Sequence, residues 1–447
     1  MGFLLQLAHF AATADPPRRL DRTVAQAVAD CFGCILAGTQ SEVATTTSNA
    51  LLPVGAGGAP LYGSDHQAAP GYAALLNAVS GHAYDLDDWE EPGNTHPTIV
   101  ILPALLALSQ TTLLTGQNVL SAYCVGFEVI CRLGEAVTLN HYSRGFHSTA
   151  TLGAIGAAAA CSRALGLKPE QAGHAMAIAI SQASGYTMQF GSHVKPLQAG
   201  CAARAGFEAA VMARAGATGN VAVLESDRGF NGLMGAGTDV TFCLAGQKLG
   251  DPWALEEYGL LIKPWPSCSY IHRLMTIALR LRDQVPLAEV SRLHATMPVF
   301  HKAILPFDRP ASRTEALFSV PACVAQVLVS GNLTLADSAE GFWTRPDVSR
   351  LIALTSVSTV APLNPDLNYD PAQPDRLEVH LRDGRVLSGT CDYPLGSRRT
   401  PMSEAQLAAK YQSITGRPPA EFSMLLRWPE APDIAAFFAN VSRRKAS

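Results

Sequence analysis

Between Gly81 and Thr98 the chain gathers Asp85, Asp87, Asp88, Glu90 and Glu91, with His82 and His96 bracketing them. Carboxylates and imidazoles in one short stretch can supply a general acid, a general base and hydrogen bonds to a polar ligand. The flanks are long, nearly uncharged and helical in pattern, and charge beside a greasy core is costly unless it is paired, hydrated or used. A plain solvated loop is the competing reading, because structural charges also cluster. Histidine- and lysine-bearing stretches downstream shift the balance towards chemistry. Arg144-Gly145-Phe146-His147 stands just before an Ala- and Gly-rich helical run, where the positive end of a helix favours a neutral imidazole and so a competent base. Capping is the blander role there. Lys195 stands in an otherwise uncharged neighbourhood from Gly173 to Ala203. It calls for an anionic partner, either a substrate carboxylate or one of Asp85, Asp87 and Asp88. Finally, Lys263-Pro264-Trp265-Pro266-Ser267-Cys268-Ser269-Tyr270-Ile271-His272-Arg273 sets Lys263, Ser267, His272 and Arg273 at a change of sequence texture. Clefts between domains are where small ligands usually bind, and a stiff proline-rich hinge is the alternative.

Several familiar motifs are missing from the sequence. There is no phosphate-binding loop, no Gly-x-Gly-x-x-Gly after a strand and no Gly-x-Ser-x-Gly. Asp85-x-Asp87-Asp88 lacks the glycine and distal glutamate of a calcium loop. Cys31-Phe32-Gly33-Cys34 is a lone CxxC within a helical pattern and reads as packing. No metal and no cofactor is therefore expected. Histidines, carboxylates and lysines without a cofactor suit removal of a proton next to a carboxylate. The cations would hold the substrate's carboxylates and spread the charge of an enediolate-like intermediate.

The elements that must position these residues are mostly helices. A chain of 447 residues is too long for one ordinary core. With 48% hydrophobic and 16% charged residues, it is dry enough to suggest surface hidden in a homo-oligomer. A net charge of −4 and a pI of about 6.3 give no electrostatic case for nucleic acid or an anionic membrane. The N-terminus lacks the basic start of a secretory signal, and the cysteines read as reduced thiols, so a cytoplasmic protein is expected. From Thr98 to Val137 the only charges are Glu128, Arg132 and Glu135, but Pro103, Gly116, Asn118 and Gly126 interrupt the run. Two buried helices, about 98–114 and 117–137, are favoured over a membrane span. Further helices are expected over 20–38, 71–83, 150–160, 169–184 and 198–216, with Ser148 or Thr149 capping the third of these. Past residue 265, Ser291–Phe300 and Leu351–Val360 have strand character, and Arg376–Gly389 alternates on both sides of an Asp-Gly turn. Arg313–Val329 is helical in pattern, and helix returns at Ser403–Ile414 and Asp433–Ser442. The fold class expected is mainly α. It comprises a large all-helical domain over 1–262, a smaller α+β domain over 263–399, and C-terminal helices over 400–447 packing back on the helical domain.

At these residues the chain resembles the MmgE/PrpD family, which includes 2-methylcitrate dehydratase, cis-aconitate decarboxylase and iminodisuccinate epimerase. The matching segments run in order: His82-Ala-Tyr-Asp85-Leu-Asp87-Asp88 with His96-Pro97, Gly145-Phe146-His147-Ser148-Thr149, Lys195-Pro196-Leu197 with Gly200, Lys263-Pro264-Trp265-Pro266-Ser267-Cys268 with His272, and Phe318-Ser319-Val320-Pro321. The resemblance implies a large all-helical domain with a smaller α+β lid domain, a homodimer and a metal-free active site between the two domains, and it carries Asp85, His96, His147, Lys195 and Lys263 over as catalytic positions. Arg144, Ser267, His272 and Arg273 are further candidates for binding substrate. Trp89 stands where many relatives have a small hydroxyl residue, and Val320 where the decarboxylase has an aromatic hydroxyl; both weigh against decarboxylation. The expectation is a cofactor-independent lyase that dehydrates a small di- or tricarboxylate, with His147 or His96 as base, Asp85 orienting it or exchanging a proton, and Lys195 and Lys263 binding carboxylates. Epimerisation of an iminodisuccinate-like acid is the runner-up, and an inactive ligand-binding relative the third reading.

Overall fold

The computed structural model describes residues 1–235, 237–364 and 367–443. The chain divides into two compact units. The first comprises Met1–Ala83, Asp87–Leu260 and the chain from Glu404 onward; the second comprises Tyr84–Leu86 and Leu261–Ser403.

The first unit is mainly helical. Its principal helices are α1 (Phe3–Thr13), α2 (Asp21–Gly38), α3 (Glu42–Leu51), α4 (Pro70–His82), α5 (Pro97–Leu108), α6 (Gly116–Ser143), α7 (Ser148–Ala164), α8 (Pro169–Ile180) and α9 (Val194–Arg214). Helix α7 is buried along almost its whole length and packs against α5, α6, α8 and α9. Its small residues make this possible. A Cβ on Gly156 would run into Ile130 and the Gly126 carbonyl of α6, and one on Gly206 of α9 would run into Ala157. At the other side of the unit a Cβ on Gly38 of α2 would land on the carbonyl oxygen of Ser80 in α4, two residues before His82. Glycine at these positions is what lets the backbones meet. The isolated charges of α6 converge on one guanidinium: Arg132 is 2.8 Å from Glu128, from Glu135 and from Glu257. No helix among the described residues is long and apolar enough to cross a membrane.

Element boundaries differ from the expectation where tertiary bonds outweigh local composition. Helix α5 stops at Leu108, short of residue 114, and α8 stops at Ile180. Helix α6 continues past Val137 to Ser143, because His141 is drawn inside by bonds from its two ring nitrogens to the Met234 carbonyl (2.8 Å) and Thr151 Oγ1 (2.7 Å). Helix α9 begins at Val194, so Lys195 and Pro196 lie in its first turn, where proline's missing N–H costs nothing.

The second unit carries a four-stranded sheet of β1 (Val290–Pro298), β2 (Thr355–Val360), β3 (Asp375–Leu381) and β4 (Val386–Cys391), in the order β2-β1-β3-β4. Strands β1 and β2 are parallel and the other pairs antiparallel. The parallel pair needs a crossover, and helices between Val299 and Leu354 supply it. The Asp383-Gly384 hairpin forms as the alternation predicts, with Gly384 at φ 88° and Leu377, Val379 and Leu381 on the buried face. Leu351–Leu354, by contrast, finish a helix, and the strand starts only at Thr355. Arg313–Val329 is split at Phe318-Ser319, because Ser319 Oγ caps a new helix with Pro321 in its first turn.

Candidate active site

Four helix ends in the first unit hold the candidate side chains. His82 is the last residue of α4, and His96 precedes α5, whose first position is Pro97. His147 precedes α7, and Lys195 sits in the first turn of α9. The backbone N–H of His96 donates to Thr149 Oγ1 at 3.0 Å, and His147 Nδ1 lies 2.5 Å from Gln198 Oε1, which ties the starts of α5, α7 and α9 to one another. Thr149 is thus used across helices and does not cap α7; the residue at the cap is His147, without a side-chain cap bond. Three helix N-termini meeting in one place concentrate positive potential there.

The imidazoles form a group. The His82 ring is 4.5 Å from the His96 ring and 6.2 Å from the His147 ring, centre to centre. Phe190 lies edge-on to His147 at 5.0 Å, and Lys195 Nζ stands 5.5 Å from the same phenyl centre. His82 Nδ1 is 2.9 Å from both oxygens of Asp87, and His96 Nδ1 is 3.1 Å from Asp87 Oδ2. Burial alone would raise the Asp87 pKa, but the two imidazoles hold it well below the usual carboxylate range. Burial, followed by the neighbouring His82 and Lys195, pushes His147 well below the ordinary histidine value and keeps it neutral. Ligand-type atoms of His82, Asp87 and His96 lie within 4.8 Å of one another, a grouping no sequence spacing displays. Asp87 is the centre of the group: it is hydrogen-bonded to His82 Nδ1 and lies 3.1 Å from His96 Nδ1.

The acidic run is therefore not a solvated loop, and its members go to different partners. Asp87 serves the two imidazoles. Asp88, buried, accepts from the Thr98 N–H at 3.3 Å and from Thr98 Oγ1, which in turn lies 2.6 Å from the Tyr123 hydroxyl. Glu90 accepts from the N–H groups of Gly93 (2.9 Å) and Thr95 (3.0 Å) and from Thr95 Oγ1 (2.6 Å). With the Trp89 Nε1 bond to Asn94 Oδ1 at 2.6 Å, this fixes the turn that delivers His96. Burial pushes Glu90 up to about 7. In the second unit, Asp85, held at φ 53°, meets Lys263: Nζ is 2.9 Å from the Asp85 carbonyl and 3.0 Å from its Oδ1.

Burial, reinforced by Asp87 and Asp30, raises Asp88 from 3.8 to about 8. Its folded value lies above its unfolded one, so the folded state binds the extra proton and stability declines as pH rises through that window. Asp88→Asn, which keeps the shape and removes the ionisation, is expected to shrink the fall in melting temperature between pH 6 and pH 9. Scanning calorimetry on both proteins at the two pH values checks this.

Of the remaining sequence candidates, Arg144 is exposed and donates to the carbonyls of Gly235 (2.6 Å) and Leu233 (3.3 Å), so it straps a neighbouring segment. Arg273 is buried against Asp375, donates to the Asp392 carbonyl at 3.3 Å and lies over the Tyr369 ring, a structural ion pair beneath the sheet of the second unit. Ser267 Oγ and His272 Nε2 bond to each other at 3.1 Å, both buried, with Trp265 edge-on to the imidazole. The sequence places His82 and Asp87 in the acidic stretch without marking them as catalytic, and Gln198 is not among its candidates. For Gln198 a signal existed, since it lies three residues after Lys195, on the same face of α9.

Comparison with known proteins matches both parts of the chain to one family. Residues 4–243 match the MmgE/PrpD N-terminal domain, and residues 265–421 match the MmgE/PrpD C-terminal domain. A cis-aconitate decarboxylase of Homo sapiens is 28% identical over 390 residues, which cover 84% of this chain and 78% of its own. One from Aspergillus terreus is 27% identical over 449 residues, covering 93% and 89%. A cis-aconitate decarboxylase-like protein of Aspergillus oryzae is 36% identical over a shorter stretch of 181 residues, 38% of this chain and 37% of its own.

Proposed function

The chain belongs to the MmgE/PrpD family, and we propose that it is a cofactor-independent lyase that removes a proton α to a carboxylate of a small di- or tricarboxylate and expels water from the neighbouring carbon. The observation that carries this reading is the buried group of His82, His96, His147 and Asp87 at the meeting point of three helix N-termini, with Lys195 beside it. One imidazole takes the proton from carbon. The electron pair left behind is spread into the adjoining carboxylate as an enediolate, which the Lys195 ammonium and the helix N-termini stabilise. That pair then closes the carbon–carbon double bond as the β C–O bond breaks, and a second imidazole protonates the departing hydroxyl so that it leaves as water. On their match to the family's motif positions, Lys263 binds a carboxylate and Asp85 exchanges a proton. The low charged content supports a homodimer.

The names of the relatives favour a second reading, decarboxylation of an unsaturated tricarboxylate. The bond to the departing CO2 would then break, its electron pair would shift through the double bond, and an imidazolium would protonate the carbon. Incubation with 2-hydroxy tricarboxylates, iminodisuccinate-like acids and cis-aconitate, followed by proton NMR, tests the proposal. A new vinyl signal from a hydroxy acid is the expected result. Inversion without loss of mass would move the assignment to epimerisation, and CO2 from cis-aconitate to decarboxylation. Silence with all of them would overturn the proposal.

A further inference from the structure

Two side chains that contact the imidazoles from behind have opposite chemistry, and the difference bears on the reaction. Gln198 is buried, and its Nε2 donates to the Tyr186 carbonyl at 3.3 Å, which turns Oε1 towards His147 Nδ1. Gly185 closes the other side of this amide: a Cβ there would press on Ala150 and approach Gln198 Oε1 at 3.1 Å. An oxygen held 2.5 Å from a ring nitrogen requires a proton on that nitrogen, so the lone pair of His147 is on Nε2. The amide is neutral and gives an imidazolium no counter-charge. Asp87 does the opposite. It is a buried carboxylate hydrogen-bonded to His82 Nδ1 and 3.1 Å from His96 Nδ1, so His82 carries Nδ1–H and a second proton on either ring meets a counter-charge. Of these two, the His96 side chain is 9% exposed and that of His82 0%, which makes His96 the more accessible of the pair.

We infer that Gln198 and Asp87 are positioning residues that sort the histidines by role: the amide makes His147 the base through Nε2, and the carboxylate makes His96 the acid. Groups whose surroundings push them in opposite directions are how one site supplies both functions. The inference rests on the proton-abstraction reading above and assigns its two imidazoles.

The test uses the full chain with ring-labelled histidine, together with Gln198→Glu and Asp87→Asn. Two-dimensional nitrogen–proton spectra are expected to show His147, identified by the signal missing in His147→Ala, protonated on Nδ1. In the pH profile of kcat/KM, Gln198→Glu places a carboxylate on His147 and is expected to move the low-pH limb upward by about 1 unit or more. The other charged and titratable groups facing His147, namely His82, His96 and Lys195, are unchanged in that variant. Asp87→Asn removes the counter-charge of His96 and is expected to move the high-pH limb downward by a similar amount. Unmoved limbs in variants that melt like wild type, or His147 protonated on Nε2, would overturn the inference. If Asp87→Asn does not fold, Gln198→Glu and the spectrum decide alone. If wild type turns over no carboxylate at all, the lyase reading fails while the spectrum still decides the assignment of His147.

Discussion

His147→Ala is expected to lower kcat by about 10²- to 10⁴-fold, the usual weight of a positioned general base, while the protein stays folded. Burial and the nearby His82 and Lys195 keep this imidazole neutral, so at neutral pH the whole population is competent to accept a proton. The fold should survive because the backbone of residue 147, which donates to the Gly185 carbonyl at 3.0 Å and starts α7, is untouched. The variant does leave Gln198 Oε1 without its donor, a loss of roughly 1–3 kcal/mol in a buried setting. Steady-state kinetics and thermal melting measured side by side check the prediction. A fall in rate below tenfold would remove His147 from the chemistry.

Lys195→Ala is the second large effect. An ammonium that meets a substrate carboxylate in a desolvated place is worth about 2–5 kcal/mol when truncated, so kcat/KM should fall by about 30- to 3000-fold. Part of this should appear in KM, since the carboxylate is bound before and during the reaction, and part in kcat, since the enediolate carries more charge than the ground state. The contact with the Phe190 ring is worth about 0.5–1 kcal/mol, so a loss of stability of at least that size is expected on melting. Lys263→Ala is expected to cost more. Lys263 donates both to the Asp85 carbonyl and to its carboxylate, and Asp85 sits at φ 53°. A non-glycine residue in that region costs about 1–3 kcal/mol and needs its surroundings to hold it. The Lys263 variant should therefore lose stability as well as rate. Substrate titration and melting curves on the two variants distinguish these outcomes. Equal destabilisation would show that Lys195 is structural.

The contrast between the two lysines marks what the sequence could and could not reveal. An uncharged neighbourhood singles out Lys195 as a cation to be accounted for, and the order of motifs singles out His96 and His147. The Asp-Gly hairpin and the long apolar helices followed from periodicity, because those signals are local. The allocation of the acidic run did not follow. Asp85, Asp87 and Asp88 have the same side chain within four positions, yet one meets Lys263, one meets two imidazoles and one meets Thr98. That choice depends on backbone direction at Asp85 and on where α5 begins, neither of which composition encodes. Arg144 and Arg273 illustrate the converse. Each carries the charge of a ligand-binding residue, but carbonyls or a buried carboxylate occupy the guanidinium. The role of Gln198 was hidden for a simpler reason, since a neutral amide in a helix draws no attention until its partner is known.

Proton exchange at carbon tests the central claim most directly. In deuterated water, the wild-type chain mixed with its carboxylate substrate or product should exchange the hydrogen α to the carboxylate at a rate no slower than turnover, and His147→Ala should abolish that exchange. Turnover without any deuterium entering at that carbon, or exchange that persists undiminished in His147→Ala, would contradict it.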